Sequence, residues 1–146
     1  MPEQETIDRA REDAREGKSA STQAGEFVRE EIHHVREGKH GARSPQQAIA
    51  IGLSKARRAG VKLPPPKGSA SLKRKAEEDE LASEHPHKIS RTRSRATERA
   101  LKREPHISTT ASALSRQSKR ASATRGKASR TQAAKKAART RRSRAS

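Results

Sequence analysis

The 146-residue sequence has no cysteine, tryptophan or tyrosine, and only one phenylalanine and one methionine. Without cysteine there is no disulfide framework, no thiolate metal site and no cysteine nucleophile. Without more aromatics there is no platform for stacking single-stranded bases. Val, Leu, Ile, Met and Phe together number 17. That is about 12% of the chain, below the ~20% under which a highly charged chain is expected to stay unfolded. No run approaches the ~20 apolar residues of a membrane span. The opening MPEQETIDRAREDAREG lacks the apolar core of a secretory signal. Such a chain buries too little apolar surface to offset the ordering entropy of all its residues. The expectation is a mostly disordered chain with short α-helices, a small helical pair at about 22–60 and no β-sheet. An enzyme acting on a small-molecule substrate is not expected.

Acidic residues are missing from one whole region. Glu104 is the last carboxylate, and the 42 residues after it carry 12 cations and no acid. Residues 1–63 carry a net charge of +2 and residues 64–104 a net charge of +4, so most of the total of +18 sits in the final segment. A division follows: a polar N-terminal helix at 1–21, a helical pair at 22–63, a linker with short polar helices at 64–104 and a disordered basic tail at 105–146.

The helical pair has the clearest local signals. From about Thr22 to Glu37, Ala24, Phe27, Val28, Ile32 and Val35 recur at helical spacing, and Gly38 follows as a stop. Ser44-Pro45-Gln46-Gln47 offers an N-cap Ser, Pro at the first helical position and Gln at the third, the elements of a capping box. Ala48, Ile49, Ile51, Leu53, Ala56 and Ala59 then form an apolar face ending at Gly60, before Pro64-Pro65-Pro66 forces an extended exit. Around this pair the helices are weaker. The segment from about Glu3 to Glu16 has only Ile7, Ala10 and Ala14 as a stripe and reads as a solvated, fraying helix with a Glu5–Arg9 pair. LKRKAEEDELAS at 72–83 places cations before acids, against the helix dipole. Ser94 to Glu104 is a further polar helix.

The run Glu37-Gly38-Lys39-His40-Gly41, followed by Ser44-Pro45-Gln46-Gln47-Ala48-Ile49-Ala50-Ile51-Gly52-Leu53-Ser54-Lys55-Ala56-Arg57-Arg58-Ala59-Gly60-Val61, resembles a domain of unknown function in small basic bacterial proteins. The resemblance covers roughly residues 26–66. It implies a bacterial chain, hence the cytoplasm and nucleoid as its location, and a family sometimes labelled DNA-binding. The segment after Glu104 is similar in composition to linker-histone tails.

No catalytic motif is present: neither G-x-x-x-x-G-K-[ST], G-x-S-x-G nor H-E-x-x-H occurs. Of six histidines, His33 and His34 are adjacent on a helix and point to different sides, and His40 lies in the following loop. Without a carboxylate or thiolate at metal-site spacing, no metal or other cofactor is expected. The basic segment carries the functional signal, because cations on an acid-free chain displace counterions from nucleic acid. The phosphate-binding residues would be Arg116, Lys119, Arg120, Arg125, Lys127, Arg130, Lys135, Lys136, Arg139, Arg141, Arg142 and Arg144. Lys39 in the G-x-x-G turn would be a minor phosphate contact or part of a plain connecting turn, and Lys55, Arg57, Arg58 and Lys62 near the end of the third helix would be minor phosphate contacts or simply cations complementing the helix dipole. The expected function is sequence-independent, histone-like binding of nucleic acid, DNA more than RNA, with the helical pair free to self-associate or dock a protein. The alternative is an adaptor whose helical pair binds a protein partner and whose tail only localises it.

Overall fold

The computed structural model describes residues 1–145, and it corrects the expectation of disorder: the chain is 72% helical. Helices run at Gln4–Arg15 (α1), Ala20–Arg36 (α2), Pro45–Arg58 (α3), Ala70–Glu84 (α4), Arg91–Lys102 (α5), Ala111–Thr124 (α6) and Lys127–Arg144 (α7), with a 3₁₀ turn at Ile107–Thr109. No strand occurs among the described residues. The chain divides into two units, residues 1–110 and 111–146. Two things make helix affordable for so polar a chain. Ser19, Ser44, Ser69 and Ser90 each accept a hydrogen bond from the backbone N–H three residues on, capping α2, α3, α4 and α5, and such caps contribute about 1 kcal/mol each. The abundant Ala, Lys, Arg and Gln are also strong helix formers, which a count of large aliphatics does not register. Helix α7, where a disordered tail was expected, buries no residue at all.

In the first unit, α2 and α3 form the centre. The buried line of α3 is Ala48, Gly52 and Ala56, and that of α2 includes Ala24, Phe27, Glu31 and Val35. The expected face of Ile49, Ile51 and Leu53 stays only half-buried, as do Val28 and Ile32. The reason is a close crossing. A Cβ placed on Gly52 would lie 2.7 Å from Val28 Cα, so the two backbones meet where α3 has no side chain. Small residues in the seam let a core form without large ones: Ala10, Ala24, Phe27, Ala56 and Val61 make one cluster, and Val35, Ala42 and Ala48 a second. At the start of α3, Ser44 Oγ caps Gln47 N at 3.2 Å, while Gln47 Oε1 accepts from Arg43 N at 2.6 Å, one residue earlier than the expected box.

The flanking segments are held by polar contacts. Helix α1 is not a solvated helix: it buries Thr6 and Ala10, and Arg9 Nε bonds Glu26 Oε2 on α2 at 2.7 Å while also pairing with Glu5. The loop after α2 docks on the end of α5, with Gly41 N donating to Leu101 O at 2.8 Å and Ala42 N to Pro105 O at 2.9 Å. A Cβ on Gly41 would lie 1.8 Å from Glu104 O, so only glycine fits. Arg36 Nε donates to Thr109 O at 3.0 Å and His106 Nδ1 to Val35 O at 3.2 Å. Residues 101–110 therefore belong with the helical pair.

Two glycines in adjacent helices separate these effects. In α2, Gly25 faces open space, so Gly25→Ala should stabilise the fold by about 0.5–1 kcal/mol through helix propensity alone. Gly52→Ala gains the same propensity but forces two backbones apart and should cost about 1–3 kcal/mol net. Thermal unfolding followed by circular dichroism reads both. Equal shifts of the same sign would mean that the crossing is not close.

Candidate functional site

Past Glu104 the cations stand on helices rather than on a flexible tail. Arg116, Lys119 and Arg120 occupy one exposed face of α6 at i, i+3 and i+4. Arg125 lies just before Gly126, the N-cap of α7. Lys127, Arg130, Lys135, Lys136, Arg139, Arg141, Arg142 and Arg144 follow on α7, all exposed. At ~100° per residue these eight leave no arc of α7 wider than about 80° without a cation, and the helix is roughly 27 Å long. It has no apolar face with which to pack. The segment contains no side-chain carboxylate.

A second basic element lies where only a polar helix was expected. On α5, Arg91, Arg95, Arg99 and Lys102 stand at i, i+4, i+8 and i+11, one exposed stripe, with Lys102 bonded to Glu98 at 2.7 Å. The spacing is present in the sequence, but Glu98 and Glu104 interrupt the run of cations, so net charge does not single it out.

The five residues considered as minor phosphate contacts are engaged within the first unit. Lys39 lies 3.2 Å from Glu37 and 3.3 Å from Glu3, and these hydrogen bonds hold its ammonium more firmly protonated than usual. Lys55 reaches Glu31 at 2.7 Å and Glu30 at 3.5 Å. Arg57 Nη2 donates to Pro64 O at 3.3 Å. Arg58 Nε bonds Asp79 at 2.7 Å, and Lys62 reaches Glu84 at 2.8 Å and Glu80 at 3.1 Å. This explains the order of charges on α4. Its acids sit at the wrong end for its own dipole because they serve the cations at and beyond the end of α3. Buried Asp79 also accepts from Ser54 Oγ and from Lys75 Nζ at 3.1 Å. Burial alone would raise its pKa, but the bonds from Ser54, Arg58 and Lys75 outweigh it and hold the carboxyl below its ordinary value of 3.8.

The fold also assembles a cluster for which no metal-site spacing was recognised. Glu31, fully buried on α2, points to the same place as His34, one turn further on, and His40 in the loop. His40 Nε2 lies 2.9 Å from Glu31 Oε1, and His34 Nε2 lies 3.1 Å from Glu3 Oε1 and 4.0 Å from Glu30 Oε1. The signal was the Glu-x-x-His spacing of Glu31 and His34, with the short turn at Gly38 returning His40. His33 stays exposed.

Asp79 provides a test of how α4 is held. Its folded-state pKa is depressed, so its stabilisation is complete above the unfolded value and is lost as the pH falls through the folded value. Asp79→Ala, which strands buried donors, should cost about 2–3 kcal/mol at neutral pH. The gap between the two proteins should close in acid, below the ordinary aspartate range. Urea unfolding across pH checks this, and a gap that does not narrow as the pH falls below the ordinary aspartate value of about 3.9 would contradict it.

Among the described residues no helix is long and apolar enough to cross a membrane. No curated protein and no solved structure matches the chain. Residues 14–67, from the end of α1 through α2 and α3 to the proline exit, match a family of unknown function (DUF6496).

Proposed function

We propose that the protein binds nucleic acid without sequence preference, through phosphate contacts of the basic helices α6 and α7, with the cationic stripe of α5 as an accessory surface. One observation carries this reading: α7 presents cations all round, buries nothing and has no side-chain carboxylate in its segment. Polyphosphate is the partner that suits such a helix, because each contact releases condensed counterions. Duplex DNA is favoured over duplex RNA. The B-form major groove, ~12 Å wide, admits a helix, whereas the A-form major groove is too deep and narrow for side chains to read. The alternative, an adaptor built on the helical pair, has less support, since α2 and α3 spend their buried faces on each other and on α1 and α4.

Removing residues after Thr110 takes away twelve cations and no acid, and should abolish most affinity for a duplex in fluorescence anisotropy. For the full chain, engagement of about 6–10 phosphates predicts a loss of roughly 10³- to 10⁵-fold between about 50 and 200 mM salt. Neutralising any one cation of α7 should lower the salt slope by about one. Random unlabelled duplex should compete as well as the labelled sequence. Equal affinity of the truncated and full chains at one salt concentration would place binding in residues 1–110 instead.

A further inference from the structure

We propose that Glu31, His34 and His40 form a binding site for a divalent transition-metal ion of the zinc type. The ligand atoms of the three residues lie within 4.8 Å of one another. Zinc bound by His nitrogen and carboxylate oxygen at ~2.0–2.2 Å in tetrahedral geometry places neighbouring ligands roughly 3.3 Å apart. The 2.9 Å between His40 Nε2 and Glu31 Oε1 therefore needs only a small outward adjustment.

Two features beyond proximity point to a cation here. The first is Glu31 itself. It is fully buried, and neither carboxylate oxygen receives a hydrogen bond of acceptable geometry, although Lys55 Nζ stands 2.7 Å from Oε2. The second is the orientation of His40. Its Nδ1 lies 2.9 Å from Gly41 O, a carbonyl that can only accept, so Nδ1 donates and Nε2 turns toward Glu31 Oε1. An imidazole fixed through Nδ1 to a backbone carbonyl, with Nε2 facing a carboxylate, is the arrangement in which metal-ligating histidines are held.

The surroundings suit a borderline ion rather than magnesium or calcium, which take oxygen ligands throughout. Glu3 Oε1 lies 3.1 Å from His34 Nε2 but outside the three-residue cluster, which leaves the fourth position to a water molecule. Lys55 opposes a further cation, but it lies on the Oε2 side, and the buried carboxylate of Glu30 offsets it from 3.5 Å. An open cleft of about 370 Å³ reaches His34 from the side of Glu3, Glu30 and Lys39, while Glu31 and His40 lie outside its lining. Bound by the three residues, the ion would tie α2 and the loop before α3 together. This inference does not depend on the nucleic-acid reading, since none of these residues lies on α5, α6 or α7.

The test uses the full, untagged chain, freed of metal by a chelator and titrated with Co²⁺ and Zn²⁺. One ion per chain is expected, with the visible absorption of tetrahedral Co²⁺ bleached by Zn²⁺. In the wild-type protein, Zn²⁺ should shift the ring-proton resonances of His34 and His40 and leave those of His85 and His87 in place. His34→Ala and His40→Ala should each weaken binding by at least about tenfold, and so should Glu31→Gln. His85→Ala with His87→Ala should change nothing. The wild-type spectra decide the matter even if Glu31→Gln fails to fold. Overturning results are no stoichiometric binding by the wild-type chain, unshifted His34 and His40 resonances, or equal affinity in the His34→Ala and His40→Ala variants.

Discussion

Helices α2 and α3 approach so closely at Val28 and Gly52 that no Cβ fits between them, and the rest of the first unit depends on this contact. With Ala48, Gly52 and Ala56 forming the α3 seam, a core can close around one phenylalanine and a few aliphatic residues. Dispersion contacts fall off within an ångström of gap, so small side chains at close range substitute for large ones at ordinary range. The same closeness brings α3's Lys55 against Glu30 and Glu31 of α2. Two carboxylates can be buried there because a cation arrives with the opposing helix.

Charge is thereby divided between the two units. In the first, acids are consumed locally: Glu26 by Arg9, Glu31 by Lys55, Asp79 by Arg58, and Glu80 and Glu84 by Lys62. Cations near the helical pair that look available in the sequence are mostly spoken for. The second unit has twelve cations and no side-chain acid, so its side chains supply no carboxylate of their own to match them. Composition alone gives the net charge; the fold shows which part of it is already neutralised.

Local signals placed most helices well. Ser44-Pro45 marked the start of α3, Gly38 the stop after α2, and the segment from about Glu3 to Glu16 became α1 at Gln4–Arg15. The expectation of disorder failed because the rule behind it counts large aliphatics, whereas this chain packs through Ala and Gly and caps its helices with Ser. The face expected for α3 is buried at Ala48 and Ala56 but only half-buried at Ile49, Ile51 and Leu53. The residue that determines the crossing is Gly52, which has no side chain for an apolar pattern to register. The docking of residues 101–110 and the return of His40 toward Glu31 depend on contacts far apart in the chain, which periodicity does not carry. Cation positions after Glu104 were legible. Their arrangement around α7 and the stripe along α5 emerged once helix boundaries were known.

The central claim is that a small-residue helical core and an acid-free helical segment divide the labour, the first folding and the second binding. Hydrogen exchange of the full chain, read peptide by peptide with and without duplex DNA at low salt, tests it most directly. Protection in α2 and α3 should be the highest in the molecule and unchanged by DNA, while residues 111–145 should exchange quickly alone and become protected on binding. New protection confined to α2 and α3, with residues 111–145 unaffected, would contradict it.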